Sequence, residues 1–166
     1  MRFVRLFAVG TLVVSVLFFG ACSDDSTSPS SAPVQGQFAD DIVEGLDWSS
    51  GGASGRTDSQ GHFTYTSGNS VSFAVGAIAF GSGRGLPWMT PVSIVAGASD
   101  ELHPTVTNIA RFLQTIDDDN DLGNGIQITD AIRTAATGQS VDFTLGTSAF
   151  GTNVGVLQAV SDMTDG

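Results

Sequence analysis

The chain has 166 residues, about the length of one domain, and its 17 acidic and 6 basic side chains give a formal net charge of −11 at pH 7. An acidic surface of this kind repels phosphate groups, which argues against DNA and RNA as ligands. Hydrophobic residues make up 41% of the chain and cysteine occurs once, so we expect a folded core without an internal disulfide or a multi-cysteine zinc site.

The first residues have the pattern of an export signal. Arg2 and Arg5 form a short positive segment, and a mostly apolar run follows from Leu6 to Phe19. This run is shorter than the ~20 residues that a transmembrane helix needs. Its length suits the hydrophobic region of a secretory signal. We therefore predict that residues 1–21 are a signal peptide.

The end of this segment, Phe19-Gly20-Ala21-Cys22, resembles the lipobox of bacterial lipoproteins, although that family prefers leucine where Phe19 stands. The resemblance implies that Cys22 becomes the N-terminus after cleavage and carries acyl chains such as palmitate. Each buried CH₂ of such a chain contributes ~0.8 kcal/mol to membrane anchoring. In Gram-negative lipoproteins an aspartate directly after the cysteine favours the inner membrane. Ser23 in that position therefore favours the outer membrane, if the cell has one.

The segment after the signal peptide predicts a tether. Residues 22–37 begin with the lipidated cysteine and continue with serine, proline and acidic residues, without periodic apolar positions. This composition is typical of a disordered linker. We predict a single β-rich domain with a C-terminal helical part over residues 38–166.

Alternating segments separated by glycine turns predict strands in the first half of the domain. A first strand is expected around Trp48, before a flexible loop that reaches Gly55. Residues 62–66 and 71–75 alternate apolar and polar side chains, as strands with one buried face do. The apolar phase changes at Gly76, and this predicts a β-bulge there.

Two motif resemblances cover this half of the chain. The segment from Gly55 to Tyr65 contains T-D-x-x-G-x-F and resembles the turn and strand of carboxypeptidase regulatory-like, or transthyretin-like, β-sandwich domains. In that family such modules bind or space other domains and perform no chemistry. The longer run from Val43 to Ile128, which includes N-G-I at Asn124–Ile126, is similar to a module of uncharacterised bacterial lipoproteins. The resemblances imply a small β-sandwich without an assigned reaction.

Helical periodicity predicts an α-helix after Pro104, with Thr105 as its N-cap. A second, short helix is expected over residues 130–136, where Thr129 is the predicted cap. The apolar face of the first helix is formed by Val106, Ile109, Ala110, Leu113 and Ile116.

The end of the chain predicts one more strand over residues 140–145 and a weak helix over residues 149–163. Val154, Leu157 and Val160 lie on one side of that helix. The whole pattern predicts an α+β fold, in which a small β-sandwich-like N-terminal half is followed by a helical segment with an acidic loop.

The acidic loop between the predicted helices suggests a calcium site. Asp117, Asp119 and Asp121 alternate along the chain, and alternating carboxylates supply the hard oxygen ligands that calcium prefers. An insertion of two residues after Asp121 would make Asp130 the closing carboxylate of an EF-hand-like loop. The candidate metal ligands are therefore these four aspartates, and the ion would stabilise the fold. A solvated acidic turn is the alternative.

No catalytic motif emerges from the chain. Gly146–Phe150 lacks the final glycine of the G-x-S-x-G hydrolase motif. The glycine-rich segment Gly81–Gly85 is not followed by the lysine of a phosphate-binding loop. His62 and His103 are far apart in sequence, and each has a local structural explanation. We therefore predict no catalytic residue.

These observations favour a lipid-anchored exported lipoprotein that acts as a non-enzymatic binding or spacing module of the cell envelope, with calcium as its candidate stabiliser. The alternative is an accessory domain or truncated fragment of a larger envelope enzyme. The expected partners are the membrane, through the lipid anchor, and another envelope protein. The apolar segment Gly85–Met89 is either a partner contact or part of the core.

Overall fold

The computed structural model describes residues 32–121 and 123–164. Their helices are α1 (Pro91–Ile94), α2 (Pro104–Thr115), α3 (Asp130–Ala135), α4 (Thr147–Phe150) and α5 (Val154–Thr164). Their strands are β1 (Pro33–Phe38), β2 (Val43–Glu44), β3 (Asp47–Ser50), β4 (Ala53–Arg56), β5 (His62–Thr66), β6 (Ser70–Val75), β7 (Ile78–Arg84), β8 (Trp88–Met89) and β9 (Ile126–Gln127). Most strands precede most helices, so the predicted α+β class is confirmed.

Two sheets enclose the aromatic part of the core. Within the described residues, one sheet has the order β4-β3-β6-β7 and the other has the order β5-β1-β8. Phe73 of the first sheet meets Phe38 and Phe63 of the second, with ring centroids 4.6 Å and 5.1 Å away. The alternation of β5 places Phe63 and Tyr65 in the core, as predicted. The sheets therefore face each other through alternate side chains, as in a sandwich.

Strand β1 lies where the sequence predicted the end of the tether. Residues 33–37 pair antiparallel with β5, and Gly36 stands opposite Phe63. A Cβ at Gly36 would lie 2.5 Å from the Phe63 ring, so only glycine admits the ring at this position. The predicted tether boundary at residue 37 is wrong because the pairing partner comes from a distant segment.

The β-bulge also differs from its predicted position. Gly76 has φ +56° and lies in the tight turn between β6 and β7, where Val75 pairs with Ile78. The register shifts further along this hairpin, between Phe73 and Ala74. The phase change at Gly76 is therefore produced by a hairpin turn that allows a positive φ.

The predicted turn before β5 is formed by its aspartate and glycine. Asp58 Oδ1 accepts hydrogen bonds from the backbone N–H groups of Gln60 and His62, both at 2.9 Å. Desolvation raises the pKa of Asp58, but these bonds and the His62 side chain outweigh it and lower the pKa overall. Gly61 has φ +72°, and its carbonyl accepts the Phe38 N–H at 2.8 Å. The turn therefore ties β5 to β1.

We expect Gly61→Ala to destabilise the protein more than Gly68→Ala. Both glycines have a positive φ, but a Cβ at Gly61 would lie 2.6 Å from the Phe38 carbonyl oxygen, whereas a Cβ at Gly68 would meet nothing within 4 Å. Both variants carry the free-energy penalty of alanine at a positive φ. The difference between their free energies of unfolding therefore reports the steric overlap at Gly61, which we expect to cost about 1–3 kcal/mol. Urea unfolding of the two variants measures it, and equal free energies of unfolding would contradict the structure.

Helix α2 begins two residues earlier than predicted. Its N-cap is His103, and Pro104 occupies the first helical position. Proline is favoured there because the first N–H of a helix needs no intrahelical acceptor. Thr105 therefore lies inside the helix and is not its cap. The predicted apolar face is buried at Val106, Ile109, Leu113 and Ile116.

Residues 140–145 do not form the predicted strand. Asp142 Oδ1 accepts hydrogen bonds from the side chain and backbone N–H of Thr144, at 2.6 Å and 2.9 Å, and these bonds lower the pKa of Asp142. Phe143 is buried, with its ring centroid 5.4 Å from that of Phe80 and 5.3 Å from that of Phe112. The alternating apolar residues therefore anchor an irregular turn on an aromatic cluster.

The C-terminal segment forms two helices in place of the single helix predicted over residues 149–163. Residues 151–153 separate them, and Asn153 Oδ1 accepts the Val156 N–H at 3.1 Å. Helix α5 buries Val156, Ala159 and Met163. Val154 is 80% exposed and Leu157 is 52% exposed, so the side that carries them faces solvent.

Candidate functional site: the acidic loop

The acidic loop, residues 117–125, connects α2 to β9. Strand β9 pairs in parallel with β2, where Val43 is opposite Ile126, so the loop is attached to the first half of the domain. Helix α3 follows directly, and Thr129 Oγ1 accepts the Ile132 N–H at 3.4 Å. The predicted cap of this helix is confirmed, and the loop therefore has fixed ends on both sides.

Asp119 and Asp121 use their carboxylates to shape the loop. Asp119 Oδ1 accepts the Asp121 N–H at 2.9 Å, and its Oδ2 accepts the side-chain amides of Asn124 at 2.7 Å and Gln127 at 3.1 Å. The bonds from the Asp121 N–H and the Asn124 amide lower the pKa of Asp119. Asp121 Oδ1 accepts the Gly123 N–H at 2.9 Å. These carboxylates therefore have donors of their own within the chain.

Asp130 takes part in a different arrangement. Its Oδ1 lies 2.6 Å from Arg56 Nη1 and 2.8 Å from Arg133 Nη1. Arg133 Nε also donates to Asp47 Oδ1 at 2.9 Å, and its Nη2 donates to the Gly45 carbonyl. These ion pairs connect α3 to the four-stranded sheet beside a cavity of about 290 Å³. Asp130 is therefore a partner of two arginines, and the structure does not place it with the other predicted ligands.

Asp117 differs from the other aspartates of the loop because it is buried. Its residue surface is 2% exposed. Oδ1 accepts the Gln127 N–H at 2.9 Å, and Oδ2 has no hydrogen-bond partner in the described structure. The sequence pattern marks the aspartates as equivalent, and only the fold shows that one of them is enclosed.

A small cavity of about 70 Å³ adjoins Asp117. Asp118 and Asn120, which the sequence analysis did not select, also line it. Its other lining residues come from α3 and the end of α5: Ala131, Ile132, Met163 and Thr164. Throughout residues 32–121 and 123–164, no group of three or more His, Cys, Asp or Glu residues is placed to hold a metal. The four-aspartate calcium site expected from the sequence is therefore not assembled there.

The histidines have structural positions. His62 Nδ1 lies 3.1 Å from Asp58 Oδ2, in the turn before β5. His103 caps α2. The glycine-rich segment predicted as a loop is extended, since Gly81–Arg84 belongs to β7. None of these features brings a nucleophile and a base together.

The predicted anchor lies in another part of the chain. Cys22 and the predicted signal peptide, residues 1–21, are outside the described residues. In the part of the chain that the structure describes, no helix has the length and apolar character needed to cross a bilayer. No protein-family model, curated protein or solved structure matches the chain.

Proposed function

We propose that the chain is an exported lipoprotein, attached to the cell envelope through acylated Cys22, and that its folded domain is a non-enzymatic module that binds or spaces other envelope components. The observation that carries this proposal is the order of the first residues. A positive segment, an apolar run and Phe19-Gly20-Ala21-Cys22 follow one another, as in the signal peptides of bacterial lipoproteins.

The distribution of charge supports attachment by lipid. All 17 acidic residues follow Cys22, whereas Arg2 and Arg5 precede it. Cleavage before Cys22 leaves a strongly acidic protein, which anionic lipid headgroups repel. Acyl chains supply membrane affinity that does not depend on surface charge. The lipid would therefore hold the domain while its charge keeps it away from the bilayer surface.

The surface of the three-stranded sheet supports a binding role. Trp88 is 56% exposed and Leu86 is 44% exposed, whereas the neighbouring Met89 is buried. The Pro87 carbonyl accepts the Gln37 N–H at 3.0 Å, which fixes the segment against β1. Exposed tryptophan on a fixed backbone suits contact with another protein. An envelope protein is accordingly the proposed partner.

Metabolic labelling with palmitate tests the anchor. We expect the wild-type chain and the Ser23→Ala control to incorporate label in a bacterial host, and Cys22→Ala to incorporate none. The wild-type chain should fractionate with membranes. Equal labelling of the wild type and Cys22→Ala, or full-length chain with a free thiol in the growth medium, would contradict the proposal.

A further inference from the structure

Asp117 carries a buried oxygen that the described chain leaves without a partner. Its Oδ1 accepts the Gln127 N–H at 2.9 Å, while Oδ2 is shielded from solvent and has no hydrogen-bond donor. The carboxylate forms no ion pair within residues 32–121 and 123–164. Burial of a charged oxygen is unfavourable unless a positive group or a donor compensates it. Asp117 Oδ2 therefore needs a positive group or a hydrogen-bond donor that the described residues do not provide.

Polar residues of the acidic loop form one side of the cavity beside Asp117, whereas Ala131, Ile132 and Met163 make the rest of the wall largely apolar. Asp118 lines it, and one oxygen of that carboxylate, Oδ1, is 3.2 Å from Thr129 Oγ1. Asn120 adds a side-chain amide to the same wall. No arginine is among the residues that line the cavity. Arg111 and Arg133 are the arginines nearest to this segment in the sequence. Arg111 donates to the Thr147 carbonyl, and Arg133 binds Asp47 and Asp130 instead.

The end of α5 adds one more polar residue to the cavity wall. Thr164, the last residue of this 11-residue helix, lines the cavity. Two aspartates, an asparagine and a threonine thus line one small space, and oxygens of these residue types are ligands that a hard cation accepts.

We propose that this cavity binds a single calcium ion, with Asp117 Oδ2 as its buried ligand and Asp118 as the second carboxylate. Calcium accepts mixed carboxylate, amide, carbonyl and water oxygens in a flexible geometry, whereas magnesium requires a stricter octahedron. This site has two carboxylates and shares only Asp117 with the sequence-based loop site, which also needed Asp119, Asp121 and Asp130. The volume of about 70 Å³ accommodates one ion with bound water.

The bound ion would stabilise the contact between the loop and the last helix. The cavity walls come from the loop, from Ile132 of α3 and from Met163 of α5, and both of these side chains are buried. An ion that neutralises Asp117 acts on the folded state alone, so its binding free energy adds to stability. The end of α5 is the part that should respond most strongly.

Calorimetric titration and thermal unfolding of the full chain, purified in detergent and treated with EDTA, test the site. We expect calcium chloride to bind with a Kd of about 10⁻⁴–10⁻³ M, as in extracellular calcium modules, and to raise the Tm. Magnesium chloride at the same concentration should raise the Tm much less, because the selectivity depends on ligand geometry.

Two variants separate this site from the loop site expected from the sequence. Asp117→Asn keeps an acceptor for the Gln127 N–H but removes the buried charge, and we expect it to abolish the calcium response. Asp121→Asn keeps the acceptor for the Gly123 N–H outside the cavity, and we expect it to keep the response. Asp118→Asn provides a second test in case Asp117→Asn does not fold, and it should weaken calcium binding at least tenfold.

Three results would overturn the proposal. The first is a Tm of the wild type that does not change up to millimolar calcium. The second is an equal rise with calcium and magnesium in the wild type and in Asp117→Asn, which would indicate general screening of negative charge. The third is a calcium response that Asp121→Asn abolishes and Asp117→Asn preserves.

Discussion

Thr57→Val is expected to lower the free energy of unfolding by roughly 2–6 kcal/mol, since it leaves two buried backbone groups without partners at about 1–3 kcal/mol each. Thr57 is 3% exposed. Its Oγ1 accepts the Leu46 N–H at 2.9 Å and donates to the Val43 carbonyl at 2.6 Å. Valine preserves the shape of the side chain and removes only the hydroxyl group. The loss therefore measures the hydrogen bonds and not the packing.

Thr57 also holds its neighbours through its own backbone. Its carbonyl accepts the Gly45 N–H, and its N–H donates to the Leu46 carbonyl, both at 2.9 Å. These bonds are unchanged in Thr57→Val, so the variant should still fold. The hydroxyl closes the chain between β2 and β3 by binding the Leu46 N–H and the Val43 carbonyl.

Urea unfolding followed by tryptophan fluorescence measures this effect. Thr57→Ser keeps the hydroxyl group and should lose much less stability than Thr57→Val. Thr64→Val, at an exposed position of β5, should stay within about 0.5 kcal/mol of the wild type. If Thr57→Val were as stable as Thr64→Val, the hydroxyl would not have the role described above.

The local pattern of apolar and polar residues was sufficient to predict those elements in which the pattern itself shows the buried face. Strands β5 and β6 alternate strictly, and α2 has a continuous apolar face, so these elements were predicted. Strand β1 was missed because Gln35-Gly36-Gln37 hides its alternation, and its burial depends on β5. Residues 140–145 alternate as a strand does, but their carbonyl groups bind a side chain of α2.

The same limit applies to the acidic loop. Alternating aspartates are expected both in a calcium loop and in a series of turns in which each carboxylate binds a nearby N–H. Asp119 and Asp121 belong to the second kind. Asp117 was selected for the wrong reason, since its distinguishing property is burial under β9 and α5. Asp130 forms ion pairs with Arg56 and Arg133 and does not join the other predicted ligands. The positions of these arginines depend on the packing of α3 against the sheet.

Asn108→Asp is expected to destabilise the protein more than Asn108→Leu, although aspartate has nearly the shape of asparagine. Asn108 is 0% exposed, and its Nδ2 donates to the carbonyl groups of Phe143 at 3.0 Å and Leu145 at 2.8 Å. Its Oδ1 has no hydrogen-bond partner among the described residues. The side-chain amide of Asn108 therefore contributes to stability through its two N–H donors.

Leucine at position 108 loses both bonds but also removes the unpartnered Oδ1, so the two effects partly cancel. Aspartate loses both bonds, keeps the unpartnered oxygen and places a buried negative charge against two carbonyl oxygens. At pH 7 this is expected to cost on the order of 3–5 kcal/mol, as for other uncompensated buried charges.

The dependence on pH separates the charge from the lost bonds. Burial raises the pKa of the introduced acid in the folded state, so the protonated form is favoured there. Asn108→Asp should therefore lose stability as the pH rises above the pKa of an aspartate in the unfolded chain. It should regain that stability on acidification. Asn108→Leu and the exposed control Gln114→Glu on the same helix should lack this recovery. Similar free energies of unfolding for wild type and Asn108→Asp at pH 7 would mean that the turn over residues 141–145 does not depend on the Asn108 amide.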